Sequence, residues 1–461
     1  MGAGKSTLGP ALAERLGRPF VSVDDVVEER TAASVADVFE GRGEPAFRAL
    51  EEEAAIDLLA RRRLAVVEIG GGGLASAATR AALVESAFTI HVETTADEAW
   101  ERVAESGRPL ARDPDEFRLL FEERRALYER SDRSARDLDG AILAAAGVHV
   151  RPSGLDQLGE LVPGTGPVEL VVDEHIDSVY GERARAALGE RLITAHLVPA
   201  GERAKTAEEA KRLWSALRLG RDGTIVVLGG GSTIDLAGFV AATYVRGVPW
   251  VAAPTTLLAQ VDASIGGKTA IDLPEGKNLV GAFHWPSRTI VDPDTLATLP
   301  AAEIENGRAE VVKTGLLAGE PLWELELAEQ VRRCASFKAA VCLRDPFDRG
   351  ERAQLNLGHT FAHALEAASG YSLSHGHAVA LGVLGALRVS GLEDEARQVE
   401  EILGPPLAMV DRDAAWSALA RDKKAEERVL RLVLLEAPGI PRLGVEVEPR
   451  LIRAALDSLI A

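Results

Sequence analysis

Along the first 145 residues, short apolar runs alternate with stretches whose apolar positions recur at helical spacing. Residues 19–23, 64–69 and 88–92 read as strands, and 47–59, between the first two, reads as a helix. That alternation predicts a parallel sheet covered by helices. Breakers cluster at Pro152-Ser153-Gly154 and Pro163-Gly164-Thr165-Gly166-Pro167, so residues 146–166 read as a linker. A second α/β pattern covers 167–299, with strands at 169–173, 224–228 and 250–253. Pro249 and Pro254 bracket the last strand, where proline is tolerated. From 300 to 461 the pattern turns helical, over 301–317, 322–343, 352–368, 375–389 and 393–403, with one late strand pair beginning near 429. The expected class is α/β, closing on a mostly α-helical part.

Composition adds limits. At 46% hydrophobic and 27% charged, the 461-residue chain can bury large cores and is not disordered. A net charge of −19 repels nucleic acid and anionic lipid, so neither is expected as a partner. Any anionic ligand must be caught by local Lys and Arg. The only two cysteines, Cys334 and Cys342, allow no disulfide scaffold or cysteine-based zinc cluster and suit a reducing cytoplasm. No apolar run approaches the ~20 residues of a membrane span, and no signal peptide is read at the start.

Met1-Gly2-Ala3-Gly4-Lys5-Ser6-Thr7 is the second half of a phosphate-binding P-loop. Gly2 and Gly4 let backbone amides close on phosphate at a helix start. Lys5 would reach the β- and γ-phosphates, and Ser6, next to Thr7, would hold Mg²⁺. Asp24, Arg48 within the 43–51 stretch, Gly70-Gly71-Gly72, Arg108-Pro109-Leu110 and Arg125-Ala126-Leu127-Tyr128 follow in order. Together these residues resemble shikimate kinase over 1–140. The resemblance implies that Asp24, Arg48, Arg125 and the turn at Gly71 hold shikimate, and that Arg108 is the lid arginine over ATP. Arginines grip a carboxylate bidentately, and Asp24 would orient or deprotonate the attacking hydroxyl. The sequence opens at Met1, inside the loop, without the strand that usually precedes it. Ser22 stands where the family usually has an acid that helps hold the magnesium water shell. Weak or no kinase activity is therefore expected of residues 1–461, with an upstream extension restoring it.

Four of the nine histidines fall within 359–377. His359 and His363 share a helix face, and His375 and His377 open the next helix. With Glu310 from an earlier helix, two of them would form a three-ligand zinc site with an open position. Spacing nominates His359 and His363 together and does not decide between His363 and His375. Upstream, Gly229-Gly230-Gly231-Ser232-Thr233-Ile234-Asp235 follows a strand and opens a helix, a pyrophosphate turn in the Rossmann manner. Three further stretches are 254–268, Gly276-Lys277-Asn278-Leu279-Val280-Gly281 and Ala309-Glu310-Val311-Val312-Lys313. With Leu355-Asn356-Leu357-Gly358-His359-Thr360, they closely resemble 3-dehydroquinate synthase over roughly 168–440.

This second resemblance implies Glu310, His359 and His375 as zinc ligands and His363 as a hydrogen-bonding proton relay. NAD would contact Asp173, Glu202, Lys205, Gly230, Gly231, Asp235, Thr255, Thr256 and the Thr295–Thr298 turn, through both Thr295 and Thr298. Arg246, Asp262, Lys268, Asn278, Lys313, Lys338, Arg352 and Asn356 would surround the phosphorylated sugar acid. Lys277 would sit between cofactor and substrate, and Lys268 beside both; either Lys423 or Lys424 would reach the substrate carboxylate. Asp348 and His377 stand where the family more often has Glu.

The expected protein is a P-loop kinase-like domain (1–145) fused to a Rossmann-like NAD-binding part (167–299) and a helical metal-binding part (300–461). Its synthase half would convert 3-deoxy-D-arabino-heptulosonate 7-phosphate to 3-dehydroquinate and phosphate. The kinase half would phosphorylate shikimate, a non-consecutive step of chorismate biosynthesis. Implied cofactors are NAD, Zn²⁺ or Co²⁺, and ATP with Mg²⁺; a cytoplasmic homodimer joined through the synthase half is implied as well. The alternatives are a degenerate, non-catalytic kinase-like domain beside an active synthase, or another sugar-phosphate cyclase. A polyol dehydrogenase would have no use for Lys268, Lys277-Asn278 and Arg352.

Overall fold

Three three-residue strands form at β-branched and aromatic residues, β1 (Phe20–Ser22), β2 (Val66–Glu68) and β3 (Ile90–Val92), and a fourth, β4 (Arg133–Ala135), forms by pairing with β3. They belong to the first of two units, Met1–Ala146 and Gly147–Ala461, in a computed structural model that describes residues 2–61, 64–104, 113–421 and 430–461. Pairing is parallel, as the alternation predicts, but it is split: β1 pairs with β2 and β3 with β4, in two separate sheets. Val66 and Val67 of β2, and Ile90 and Val92 of β3, line a cavity of about 710 Å³ together with Leu8 and Leu12 of the Lys5–Arg15 helix. A separate cluster of Val23, Val27, Val38, Phe47, Ala54 and Ala55 packs the 23–31 and 35–60 helices together.

The second unit is built on a six-stranded parallel sheet in the order β5-β12-β9-β8-β6-β7. These strands are β5 (Val148–Val150), β6 (Val168–Asp173), β7 (Leu192–Val198), β8 (Thr224–Gly229), β9 (Trp250–Pro254) and β12 (Arg288–Val291). Every position of β6, β8 and β9 is buried, because helices cover both faces of a parallel sheet. The 146–166 linker reading is corrected here. Val148–Val150 pairs with β12, and Leu155, Leu158 and Val162 are buried against the sheet. Proline and glycine mark turns in this stretch, and its leucines still find a core. Strand β7 has exposed Ile193 and Leu197 and lies at the sheet edge, so its pattern does not read as a buried run.

An antiparallel hairpin, β10 (Lys268–Leu273) with β11 (Gly276–Phe283), projects the charged motif residues. The helical part packs Val312, Leu316, Phe361, Val379, Val383 and Leu387 into one core. Two of the predicted helices are broken. The 322–343 stretch is a 3-10 turn at Leu322–Glu324 followed by a helix at Leu327–Arg344. The 352–368 stretch breaks at Gly358, whose φ of 78° is open to glycine at little cost. A Cβ there would stand 2.6 Å from the Val383 amide nitrogen. His359 therefore begins a new helix, His359–Ala368, held close to the His375–Ser390 helix. The late strand pair forms as β13 (Arg431–Ala437) and β14 (Ile440–Glu446).

Among the described residues, β2 and β3 are each paired on one edge only, whereas β8 is paired on both. Amides of β2 and β3 are therefore expected to exchange with deuterium well before those of β8. Hydrogen exchange read by mass spectrometry checks this; equal protection would show that the split sheet is as stable as the continuous one.

Candidate active sites

In the first unit, Gly2 and Gly4 take left-handed φ values of 70° and 85°, and the Lys5–Arg15 helix starts at Gly4 with no side chain capping it. An uncapped helix start behind two left-handed glycines is the fit expected of a nucleotide loop. Lys5 lines the cavity beside Gly70 and Gly71. Ser6 Oγ donates to Glu68 Oε1 at 2.9 Å.

Around the glycine turn, Arg48 Nη1 donates to Glu51 Oε2 at 2.5 Å and its Nη2 to Glu44 at 3.1 Å. A Cβ on Gly70 would lie 2.4 Å from Glu51 and 3.4 Å from Asp24; one on Gly72 would run into the Arg48 guanidinium. Tyr128 donates to the Gly71 carbonyl at 2.6 Å. Asp24, Arg48, Gly70–Gly72 and Tyr128 thus lie together. Arg125 does not join them. It is exposed and pairs with Glu129 at 2.9 Å and Glu122 at 3.5 Å on its own helix. Arg124 lines the cavity instead, and its charge acts on both Glu51 and Tyr128. One residue turns a helix by about 100°, so Arg124 and Arg125 flank Tyr128 on opposite sides, and Arg125 is turned toward Glu122 and Glu129 instead. Glu51 was not anticipated; burial pushes its carboxyl up against the pull of Arg48. Arg108 lies outside the described residues, as do Lys423 and Lys424.

In the second unit, β8 ends in Gly229 and the Gly231–Thr243 helix begins after Gly230 with no side-chain cap. A Cβ on Gly230 would approach the Thr256 methyl to 3.1 Å and crowd the turn. Asp173, ending β6, accepts from the amides of His175 and Ile176. Ser232 donates to Glu202 at 2.5 Å, and Lys277 pairs with Glu202 at 3.0 Å. Lys205 donates to Asp235 at 2.8 Å and to Asn278 at 2.5 Å. Burial would lower the Lys205 ammonium, but Asp235, Glu202 and Asp272 outweigh it and hold it charged. Asn278 sits at a φ of 58°, its amide held by Asp272 at 2.8 Å. Thr255 is buried behind the turn. Thr295 accepts from Gln260 at 3.0 Å and Thr298 contacts the Tyr180 hydroxyl at 2.7 Å, so these two threonines brace the wall from inside.

Glu310, His359 and His375 bring one ligand atom each to within 4.8 Å of one another, from three separate helices. The Nε2 atoms of His359 and His375 stand 3.7 and 3.5 Å from Glu310 Oε1. Behind them, His359 Nδ1 faces the Leu357 carbonyl at 3.2 Å and His375 Nδ1 faces Glu366 at 3.2 Å. Both rings thereby turn Nε2 inward, the arrangement metal-binding imidazoles use. Glu366 and Asn306, which accepts from the Gly376 amide, were not anticipated. An i, i+7 glance from His359 to Glu366 would have found the first. Glu310 is 1% exposed, and Lys313 stands against its Oε2 while Oε1 has no hydrogen-bond partner. A buried, partnerless carboxylate oxygen facing two imidazoles fits a divalent cation. Burial would raise the Glu310 carboxyl, but Lys313 and the two histidines hold it well below the usual range. Burial, with Lys313, pushes His359 down to about 3. Partial burial would lower His375, but Glu310 and Glu366 raise it to about 10.

His363 is exposed, edge-on to His359 at 5.5 Å between ring centroids, outside the ligand set. Lys338 pairs with Asp262 at 2.8 Å, and Asp262 also feels Glu310 and Lys313. Lys268 pairs with Asp348 at 2.5 Å. Arg352 is buried with its Nε unpartnered, and Asn356 is exposed at the end of the same 3-10 turn. Arg246 lies on an exposed turn after the 231–243 helix, about 20 Å along that helix from Gly231.

Comparison with known proteins places these features. The shikimate kinase family model matches residues 1–145, and the 3-dehydroquinate synthase N- and C-terminal models match 195–306 and 307–425. The 3-dehydroquinate synthase of Symbiobacterium thermophilum is 43% identical over 351 residues, 68% of this chain and 97% of the relative. A 2-epi-5-epi-valiolone synthase from Streptomyces hygroscopicus subsp. jinggangensis, solved with NAD⁺ and Zn²⁺, superposes with a TM-score of 0.60 at 27% identity, over 68% of this chain and 96% of that one. A 2-deoxy-scyllo-inosose synthase solved with carbaglucose-6-phosphate, NAD⁺ and Co²⁺ shares the fold, with a TM-score of 0.62 at 24% identity over 68% and 96%.

The ligand set separates the two histidines of the His359 helix. His359→Ala is expected to lose the metal, since three ligands hold it. His363→Ala is expected to keep the metal and lose rate by roughly 10²–10⁴-fold. Metal content of the purified variants checks this; a metal-free His363→Ala beside a metal-loaded His375→Ala would reverse the assignment.

Proposed function

Because the chain belongs to the 3-dehydroquinate synthase family and carries a shikimate kinase domain in residues 1–145, we propose a two-site reading of its residues. The synthase site binds NAD at the Gly229–Asp235 turn and a divalent cation, zinc or cobalt, at Glu310, His359 and His375. It turns 3-deoxy-D-arabino-heptulosonate 7-phosphate into 3-dehydroquinate and phosphate. The observation that carries this reading is the ligand triad around buried Glu310, whose Oε1 has no hydrogen-bond partner, set among Lys313, Lys338 and Asp262.

When bound, the cation would polarise vicinal substrate oxygens as a Lewis acid, and NAD would take and return a hydride. The chain's own residues do the rest. Lys268, Lys338, Arg352 and Asn278 receive the phosphate and carboxylate, with the Lys268–Asp348 pair opening to the substrate. Lys205 holds Asn278 in its left-handed turn. Exposed His363, beside a ligand histidine, moves a proton at its imidazole. Lys277, held by Glu202, stands at the edge of the cofactor turn.

At the kinase site, Gly2–Thr7 holds ATP with Mg²⁺, and Asp24, Arg48, Arg124 and the turn at Gly71 hold shikimate. In this reading the chain works as a cytoplasmic homodimer through its synthase half. No helix of the described residues is long and apolar enough to cross a membrane.

Phosphate release from the heptulosonate phosphate is expected to stop after chelation and to return with Zn²⁺ or Co²⁺; undiminished turnover by the stripped chain would overturn the metal role. For shikimate, calorimetry on the full chain should show affinity falling at least ~10-fold in Arg124→Ala, the cost of one charged hydrogen-bond partner. Arg125→Ala should leave it unchanged. The opposite ranking would restore Arg125 to the site.

A further inference from the structure

We propose that Glu68 is the acid that orders the hydration shell of the nucleotide's Mg²⁺, facing Ser6 across the phosphate loop. This rests on the reading of Gly2–Thr7 as a nucleotide loop. P-loop enzymes hold Mg²⁺ between the loop Ser or Thr and an acid at the end of a neighbouring strand. Glu68 is the last residue of β2, two positions before the Gly70–Gly72 turn. It is 62 residues from Ser6 in sequence, yet Ser6 Oγ donates to its Oε1 at 2.9 Å. A hydroxyl that gives its proton to Glu68 keeps its lone pairs for a cation.

The nearby acids are otherwise engaged. Glu51 is bound to Arg48, and Asp24 lies with Glu51 against Gly70, on the shikimate side. The parallel register pairs Ser22 of β1 with Glu68 of β2. Ser22 is buried and caps the 23–31 helix, accepting from the Asp25 amide at 3.5 Å. Paired positions in adjacent strands point to the same side. The carboxylate that the family resemblance places at 22 therefore has a substitute on the neighbouring strand.

The test measures ADP binding to the full chain by calorimetry, with Mg²⁺ and with EDTA. In Glu68→Gln, Mg²⁺-dependent affinity should fall ~10-fold, as for other outer-shell partners of a metal, while affinity in EDTA stays at the parent value. Adding Ser22→Asp to Glu68→Gln should recover most of the loss, because the two positions are paired. Ser6→Ala should weaken Mg²⁺-dependent binding too, and its effect should not add to that of Glu68→Gln. An unchanged Mg²⁺-dependent affinity in Glu68→Gln, or an equal fall in EDTA, would overturn the proposal. A parent chain that binds ADP under neither condition would instead overturn the nucleotide reading on which it rests.

Discussion

Glu310 is held at 1% exposure, and burying its charge costs several kcal/mol unless opposite charge is brought to it. Lys313, one turn along the same helix and equally buried, supplies that charge at one oxygen. The other oxygen is left to two imidazoles. Everything else in the helical part keeps this arrangement at the right spacing. Val312 and Leu316 of the Glu310 helix join Phe361, Val379 and Val383 of the two histidine helices in one core. Gly358 and Gly382 face each other so closely that a Cβ on either would meet the other's backbone at 2.7 Å or less. With any side chain there, the histidine helices would part and the triad would open. Glu366 and the Leu357 carbonyl then set which ring nitrogen points inward. The metal-site reading follows from a packing solution that leaves one carboxylate oxygen without a partner.

The sheet of the second unit plays the complementary part. Buried on both faces, β8 is fixed along its length, so the turn after Gly229 is a firm platform and the start of the 231–243 helix is aimed by the core beneath it. Two of the cations that would meet the substrate and cofactor, Lys268 and Lys277, are carried on the more exposed β10–β11 hairpin and are paired with Asp348 and Glu202. A rigid cofactor platform with exchangeable ion pairs above it suits a site that must admit a charged substrate. The first unit is built more lightly, with three-residue strands in two pairs on either side of a cavity.

Much of this was legible beforehand, and where it failed the reasons are specific. The buried strand β8 carries the unbroken apolar run Ile225–Leu228, and β6 the run Leu170–Val172, and both are readable as such. Strand β7 exposes Ile193 and Leu197 at an edge, and β10 and β11 are rich in charged and small residues, so neither pattern marks a core. Residues 146–166 looked like a linker because glycine and proline report backbone turns and say nothing of whether the leucines between them find a core. The motif reading names Arg125 and passes over the adjacent Arg124. Only the rotation of the helix relative to Tyr128 and Glu51 separates them.

The sequence alone determined the chemistry on offer: a glycine-rich loop before a helix in each unit, a carboxylate and clustered histidines, and cations enough for two anions in an acidic chain. Those are local properties, set by which residues stand within a few positions of each other. The tertiary structure decided which of them meet. It chose His375 over His363, Arg124 over Arg125, and set Glu68 beside Ser6 across 62 residues. Such choices depend on helix rotation, strand register and the approach distance that glycine allows, because side chains distant in sequence come into reach only once the core between them has packed.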